Sequence, residues 1–243
     1  MTKEFFEIIV DSHVHWGPSL SMGTEVTTNR ILREQKESGV THVIILPFPS
    51  TAIASNEINV RLLDETKRVE HFIPYFYVRE TFPSIPQEYF GGKWHWMRGV
   101  QDTASNYALL NDPELPDLVE RLRDSDKPII FEEELDFTEQ FVERFPGLKL
   151  IIPHLGLLGG DPLDFLQSFK GNRSIYFDTA LGSQGNISEF VRTIGPERVI
   201  FGSDIPFGSM KSELSKVMGL SLSYEDKKRI LADNILELTR CSL

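Results

Sequence analysis

Cysteine is nearly missing from this chain. One residue of 243, Cys241, carries a thiol, so there is no disulfide framework, no Cys-x-x-Cys pair and no central thiol nucleophile. Basic charge is also scarce: 25 Lys and Arg stand against 36 Asp and Glu, a net charge of −11. Such a balance repels phosphate backbones and offers no stripe for counterion release, which argues against a nucleic acid partner. No apolar run approaches the roughly 20 residues needed to cross a membrane. The opening MTKEFFEIIVDSHVH has too short an apolar gap, between Glu7 and Asp11, to act as a signal peptide. Phosphate-cradling GxGxxG and Walker loops and the GxSxG nucleophile elbow are absent too, and the glycines at 156, 159 and 160 have the wrong spacing for any of them. The expectation is a cytoplasmic protein with a small-molecule partner and no membrane or nucleic acid partner. A homo-oligomer is compatible with the sequence, which leaves assembly open.

What the chain does have is a series of short Ile-, Val- and Phe-rich runs, each stopped by Gly, Pro or a polar residue. They fall at 7–11 (EIIVD), 42–47 (HVIILP), 72–78 (FIPYFYV), 97–101 (MRGVQ), 128–132 (PIIFE), 149–153 (KLIIP), 175–178 (IYFD) and 198–202 (RVIFG). Continuous rather than alternating apolar runs mark strands covered on both faces, and parallel strands need crossover helices. Helix-period segments fill the gaps, one of them opening at Thr28 and stopping at Gly39. Strand followed by helix, repeated eight times within about 250 residues, predicts an α/β fold, a (β/α)8 TIM barrel forming one domain over residues 1–243. The fourth strand is the least regular, and residues 83–96 before it read as a long loop whose aromatic residues either line a pocket or simply pack.

In this fold, active sites gather at the C-terminal ends of the strands. Three of the six histidines, His13, His15 and His154, sit at such ends, whereas His42 and His71 open their strands. His13 and His15 are two apart, so an extended backbone turns both imidazoles to one side, as two ligands of one metal require. A pair of merely hydrogen-bonded histidines fits that spacing equally well. Further ligand types at the same face are Glu132, His154, Asp178 and Asp204, and such a mixture of imidazole and carboxylate suits Zn²⁺, Mn²⁺ or Fe²⁺ better than Ca²⁺ or Mg²⁺. Alternation along the strand turns Glu132 and Glu134 one way and Glu133 the other, and Glu132 is the choice for the inward position. Arg79, ending strand three, is a candidate fork for a substrate carboxylate, although a surface salt bridge serves it equally.

Taken in order, DSHVH at 11–15, PHLG at 153–156, YFDT at 176–179, FGSDIPF at 201–207 and ILADNIL at 230–236 resemble the amidohydrolase superfamily. The likeness is to its branch of aminocarboxymuconate semialdehyde decarboxylase, aromatic acid decarboxylases and small lactone hydrolases, and it spans nearly the whole chain. It implies His13 and His15 as metal ligands and Asp204 as a ligand or the acid/base beside the metal. His154 becomes a second ligand or the group that polarises the substrate, and zinc is the first choice of metal. Trp16, Arg79 and Asp178 are then the candidate substrate contacts. Two departures stand out. Strand five ends in Glu132 where relatives usually carry histidine, and Gln101 stands where relatives often have a lysine after the strand-four glycine. The implied activity is hydrolysis of an amide, cyclic imide or lactone. The alternatives are non-oxidative decarboxylation of a small unsaturated or aromatic acid, and a barrel that has lost chemistry and only binds a ligand.

Overall fold

A computed structural model describes residues 6–79, 81–95 and 104–243. Its strands are β1 (Val10–Ser19), β2 (Thr24–Val26), β3 (His42–Pro47), β4 (Phe72–Tyr77), β5 (Gly91–Trp94), β6 (Ile129–Phe131), β7 (Leu150–Ile152), β8 (Ile175–Asp178) and β9 (Val199–Ile200). The helices are α1 (Thr28–Ser38), α2 (Pro49–Ala54), α3 (Glu57–Thr66), α4 (Leu115–Ser125), α5 (Leu135–Arg144), α6 (Pro162–Phe169), α7 (Gln184–Ile194), α8 (Met210–Met218), α9 (Tyr224–Lys228) and α10 (Asn234–Thr239). Every neighbouring pair from β1 through β3 to β9 is parallel, while β2 folds back on the end of β1 as an antiparallel hairpin arm. The ring closes between β1 and the segment after β9. Ser12 N–H donates to the Phe201 carbonyl at 3.0 Å, Asp204 N–H to His13 at 2.7 Å and His15 N–H to Ile205 at 3.0 Å. This is the expected (β/α)8 barrel.

Apolar side chains divide into two layers, as strands covered on both faces demand. Ile44, Ile73, Ile130, Ile151 and Ile200 fill the barrel interior, whose floor is sealed by Ala232, Ile235 and Leu238. Val43, Ile45, Phe131, Ile152 and Phe177 face outward under the helices. Helices that follow the upper loops begin on side-chain caps: Asp161 accepts from Leu163 N–H, Ser183 from Asn186 and Ser209 from Ser212. In α1 the cap is Thr27 rather than Thr28, with Gly39 in the left-handed conformation closing the other end as expected. No helix among the described residues is long and apolar enough to cross a membrane.

Six of the eight expected strands lie where the apolar runs stand; the first run, 7–11, meets only the start of β1, which continues to Ser19, and the fourth is corrected. Residues 97–101, Gln101 included, lie outside the described residues. The strand that pairs between β4 and β6 is Gly91–Trp94, inside the stretch read as loop. Its Gly-Gly start hides it from an apolar pattern, yet packing requires small residues there. A Cβ on Gly91 would lie 2.4 Å from Tyr75 Cζ and 2.7 Å from the Pro128 carbonyl oxygen.

Candidate metal centre at the C-terminal mouth of the barrel

The first strand changes face part-way along. Val10 packs inside the barrel and Val14 outside it, although four residues of regular strand would return to the same face. An irregularity in the β1–β3 register between Asp11 and Val14 supplies the switch. His13 and His15 therefore turn inward, and Val14 and Trp16 turn towards the helices. The Trp16 indole donates to Thr28 Oγ1 at 3.0 Å and its ring joins the outer core, so it packs beneath α1 instead of facing the histidines.

His13 is held from behind. Its Nδ1 lies 2.9 Å from Asp178 Oδ2, and because a carboxylate accepts, a proton is on Nδ1, so that in the neutral imidazole the lone pair is on Nε2. That Nε2 has no hydrogen-bond partner and stands 3.5 Å from Asp204 Oδ1. His15 Nε2 reaches the same oxygen at 3.2 Å. His15 stacks on Phe48 with ring centroids 4.6 Å apart, and burial pushes its imidazole down to about 4, which keeps it neutral as a ligand must be. His13, His15 and Asp204 offer donor atoms within 4.8 Å of one another, all buried.

Asp178, expected as a substrate contact, spends both oxygens inside the protein. Its other oxygen accepts the backbone N–H groups of His154 at 2.9 Å and Ala180 at 3.0 Å. His154 and Leu155 follow β7 with φ of 56° and 57° and Gly156 with 92°, a run that bulky residues rarely adopt and that recurs at functional sites. The turn aims His154 Nε2 between Asp204 Oδ2 and Glu132 Oε1, each 3.8 Å away. Asp204 is itself left-handed, at φ 53°. Burial raises its carboxyl, but the surrounding His154, His13 and His15 outweigh burial and hold it below the ordinary value.

Glu132 extends β6 inward as alternation requires, but it stands outside the group of His13, His15 and Asp204. Its Oε2 accepts from Lys93 Nζ, and His95 Nδ1 lies 2.9 Å from the same oxygen. Burial alone would raise this carboxyl; His95 and Lys93 hold it well below the usual range. Lys93 escaped sequence reasoning because its strand did: it follows Gly92 on β5 and is fully buried. Asp11 was legible only as part of a motif. Its Oδ1 accepts the N–H groups of His13 at 3.1 Å and Ser203 at 2.9 Å, tying the two ligand-bearing segments together, and burial pushes its carboxyl up to about 7. Arg79 is half-buried and donates to the Ile53 carbonyl at 3.2 Å, a bond to α2 and not to the histidine group.

The donor set tests well for a divalent ion. Two imidazoles and a carboxylate converge with a free lone pair on His13 Nε2 and an unpartnered oxygen on Asp204, in a buried recess where orphaned polar atoms are costly. Such a group at the C-terminal mouth of a parallel barrel stands where this fold places its active sites, with a donor set able to hold a divalent ion. The chain belongs to the amidohydrolase family, whose model matches residues 112–240, more than half of its length. Among solved structures it is similar to a dihydroxybenzoic acid decarboxylase from Polaromonas with bound manganese and an inhibitor (13% identity, TM-score 0.76, 97% of each chain covered). It is also similar to a putative 2-pyrone-4,6-dicarboxylic acid hydrolase from Pseudomonas putida (16%, TM-score 0.76, 97% of this chain and 98% of that one). A third is an amidohydrolase from Burkholderia multivorans with bound zinc (12%, TM-score 0.77, 97% and 100%). At these identities the likeness is one of fold. A comparison with curated proteins finds no match.

Proposed function

We propose that this amidohydrolase-family enzyme is a metal-dependent hydrolase of a small carbonyl compound, an amide, cyclic imide or lactone. The observation that carries the reading is the buried convergence of His13, His15 and Asp204, with Asp178 behind His13. These three residues would hold the ion, zinc by preference, and Glu132 and His154 flank it. When bound, a divalent ion supplies Lewis acidity and lowers the pKa of water towards neutrality. Asp204, held ionised among the histidines, takes the proton of the attacking water and returns it to the leaving nitrogen or oxygen. His154, aimed across Asp204 by its turn, donates to the carbonyl oxygen as charge builds there. His95 and Lys93 keep Glu132 ionised beside the site.

A second reading, a non-oxidative decarboxylase, draws support from the decarboxylases that share the fold. Its weak point is Arg79, whose guanidinium is bonded to α2, so a substrate carboxylate would have to rely on the ion and His154. Metal analysis of protein purified without chelator, followed by turnover of lactones, imides and aromatic acids in ¹⁸O-labelled water, separates the two. Label in the product acid marks hydrolysis; carbon dioxide without label uptake marks the lyase. An ion-free protein that cannot be loaded with Zn²⁺ or Mn²⁺ overturns both.

A further inference from the structure

The floor of the barrel, opposite the histidine site, holds a cleft of about 610 Å³. Its walls come from the N-terminal ends of β7, β8 and β9 and from the C-terminal helices. Lys149, Arg173 and Arg198 stand just ahead of these three adjacent strands, and Lys170 and Arg229 complete the lining cations. Only Glu197 and Glu237 oppose them. Five cations against two carboxylates is an inversion of a chain that carries 25 basic and 36 acidic residues.

Glu237 and, from outside the lining, Asp126 each match one cation, which leaves Lys170, Arg173 and Arg198 without an ion pair among the described residues. Glu237 stands 3.9 Å from Arg229, and the Glu197 carboxylate folds back over Gly195, within 2.6 Å of where a Cβ would sit. Lys149 is matched by Asp126 at 2.6 Å. Arg198 is buried and spends its guanidinium on backbone carbonyls: Phe169 at 3.2 Å, Asn172 at 2.6 Å, Lys170, and Ile194 at 3.4 Å. Its charge is thus fixed in the floor with no carboxylate within 4.0 Å among the described residues. Lys170 Nζ donates to the neutral Gln167 Oε1 at 2.7 Å, and neither Lys170 nor Arg173 has a carboxylate within 4.0 Å among the described residues. Both are exposed at the rim and free to swing over an occupant.

We propose that this cleft binds a small multivalent oxyanion, with Lys170 and Arg173 closing on it above the fixed charge of Arg198. A concave site of this size accommodates a small molecule, and like charges held together in a partly enclosed space are relieved by a bound anion. Guanidinium forks suit phosphate and carboxylate equally, so the shared chemistry is a phosphate monoester or a polycarboxylate. The site lies on the face that this fold does not use for catalysis, which makes it separate from the metal centre.

The test is calorimetric titration of the metal-loaded chain with pyrophosphate and with citrate at low ionic strength, on wild type, Lys170→Glu/Arg173→Glu and His13→Ala/His15→Ala. Saturable binding that weakens at least tenfold in the floor variant and persists in the histidine variant is the expected result. Preference between the two probes identifies phosphate or polycarboxylate as the source. Lys170→Gln/Arg173→Gln, which adds no negative charge, should weaken binding less than the reversal. Absence of saturable binding, loss only in the histidine variant, or equal affinity in wild type and the floor variant overturns the proposal.

Discussion

Asp178 uses one oxygen to accept the Nδ1 proton of His13 at 2.9 Å and the other to accept the backbone N–H of His154, also at 2.9 Å. A single carboxylate at the end of β8 thereby sets the tautomer of one histidine and the position of another. Asp178→Asn replaces one acceptor oxygen by a donor amide and removes that control. Metal affinity should fall on the order of 10- to 100-fold with the fold retained, measured by competition with a chromophoric chelator and by circular dichroism.

Removal of the ligands themselves should be more severe. His13→Ala/His15→Ala takes away both imidazoles that face Asp204, and the expected outcome is loss of stoichiometric metal and of all turnover, with cooperative unfolding intact. Elemental analysis of the purified variant checks the first and thermal denaturation the last.

The Lys93–Glu132 pair is buried, so breaking it differs from replacing it. Lys93→Met removes one of the two close cationic partners of a buried carboxylate, leaving His95, and should cost up to roughly 3–5 kcal/mol. Lys93→Met/Glu132→Leu removes both charges and should regain most of that loss. Urea unfolding of the two variants decides, and equal destabilisation would contradict an ion pair.

Asp126 gives a pH-dependent contribution away from the site. It terminates α4 in the left-handed conformation, and its carboxyl, half-buried, is held below the usual range first by the hydrogen bond from Lys149, with Arg240 adding to it. A depressed folded value means that the stabilisation is present above the unfolded value near 4 and is lost as pH falls through the folded one. Asparagine tolerates the same backbone. Asp126→Asn should therefore lower stability by about 0.5 kcal/mol at pH 7, the scale of a partly exposed pair, and the difference from wild type should be smaller at pH 3. Parallel urea titrations at the two pH values test this.

Gly91→Ala tests the strand that the apolar pattern hides. A methyl 2.4 Å from Tyr75 Cζ and 2.7 Å from a backbone carbonyl forces the β4–β5–β6 pairing apart, at about 1–3 kcal/mol. A lowered melting temperature is expected; an unchanged one would place the strand elsewhere.

Local pattern alone carried the repeat of strand and helix, the Gly39 stop of α1, and the polar residues that end the strands, because these depend on neighbours within a few positions. His13, His15, His154 and Asp204 were legible for that reason. The tertiary structure decided the rest. The slip in register that turns His13 and His15 inward comes from pairing with β3, 30 residues or so away. Gly91 is required where Tyr75 and Pro128 leave room for nothing larger, and Gly92 where Ile85 and Ile129 press in. Trp16 and Arg79 turn from the site because Thr28 and Ile53 offer them partners. Lys93 meets Glu132, and Asp178 meets His13 across 165 residues. Burial strengthens these charges and makes their pairing obligatory, and no separation along the chain records which partner each will find.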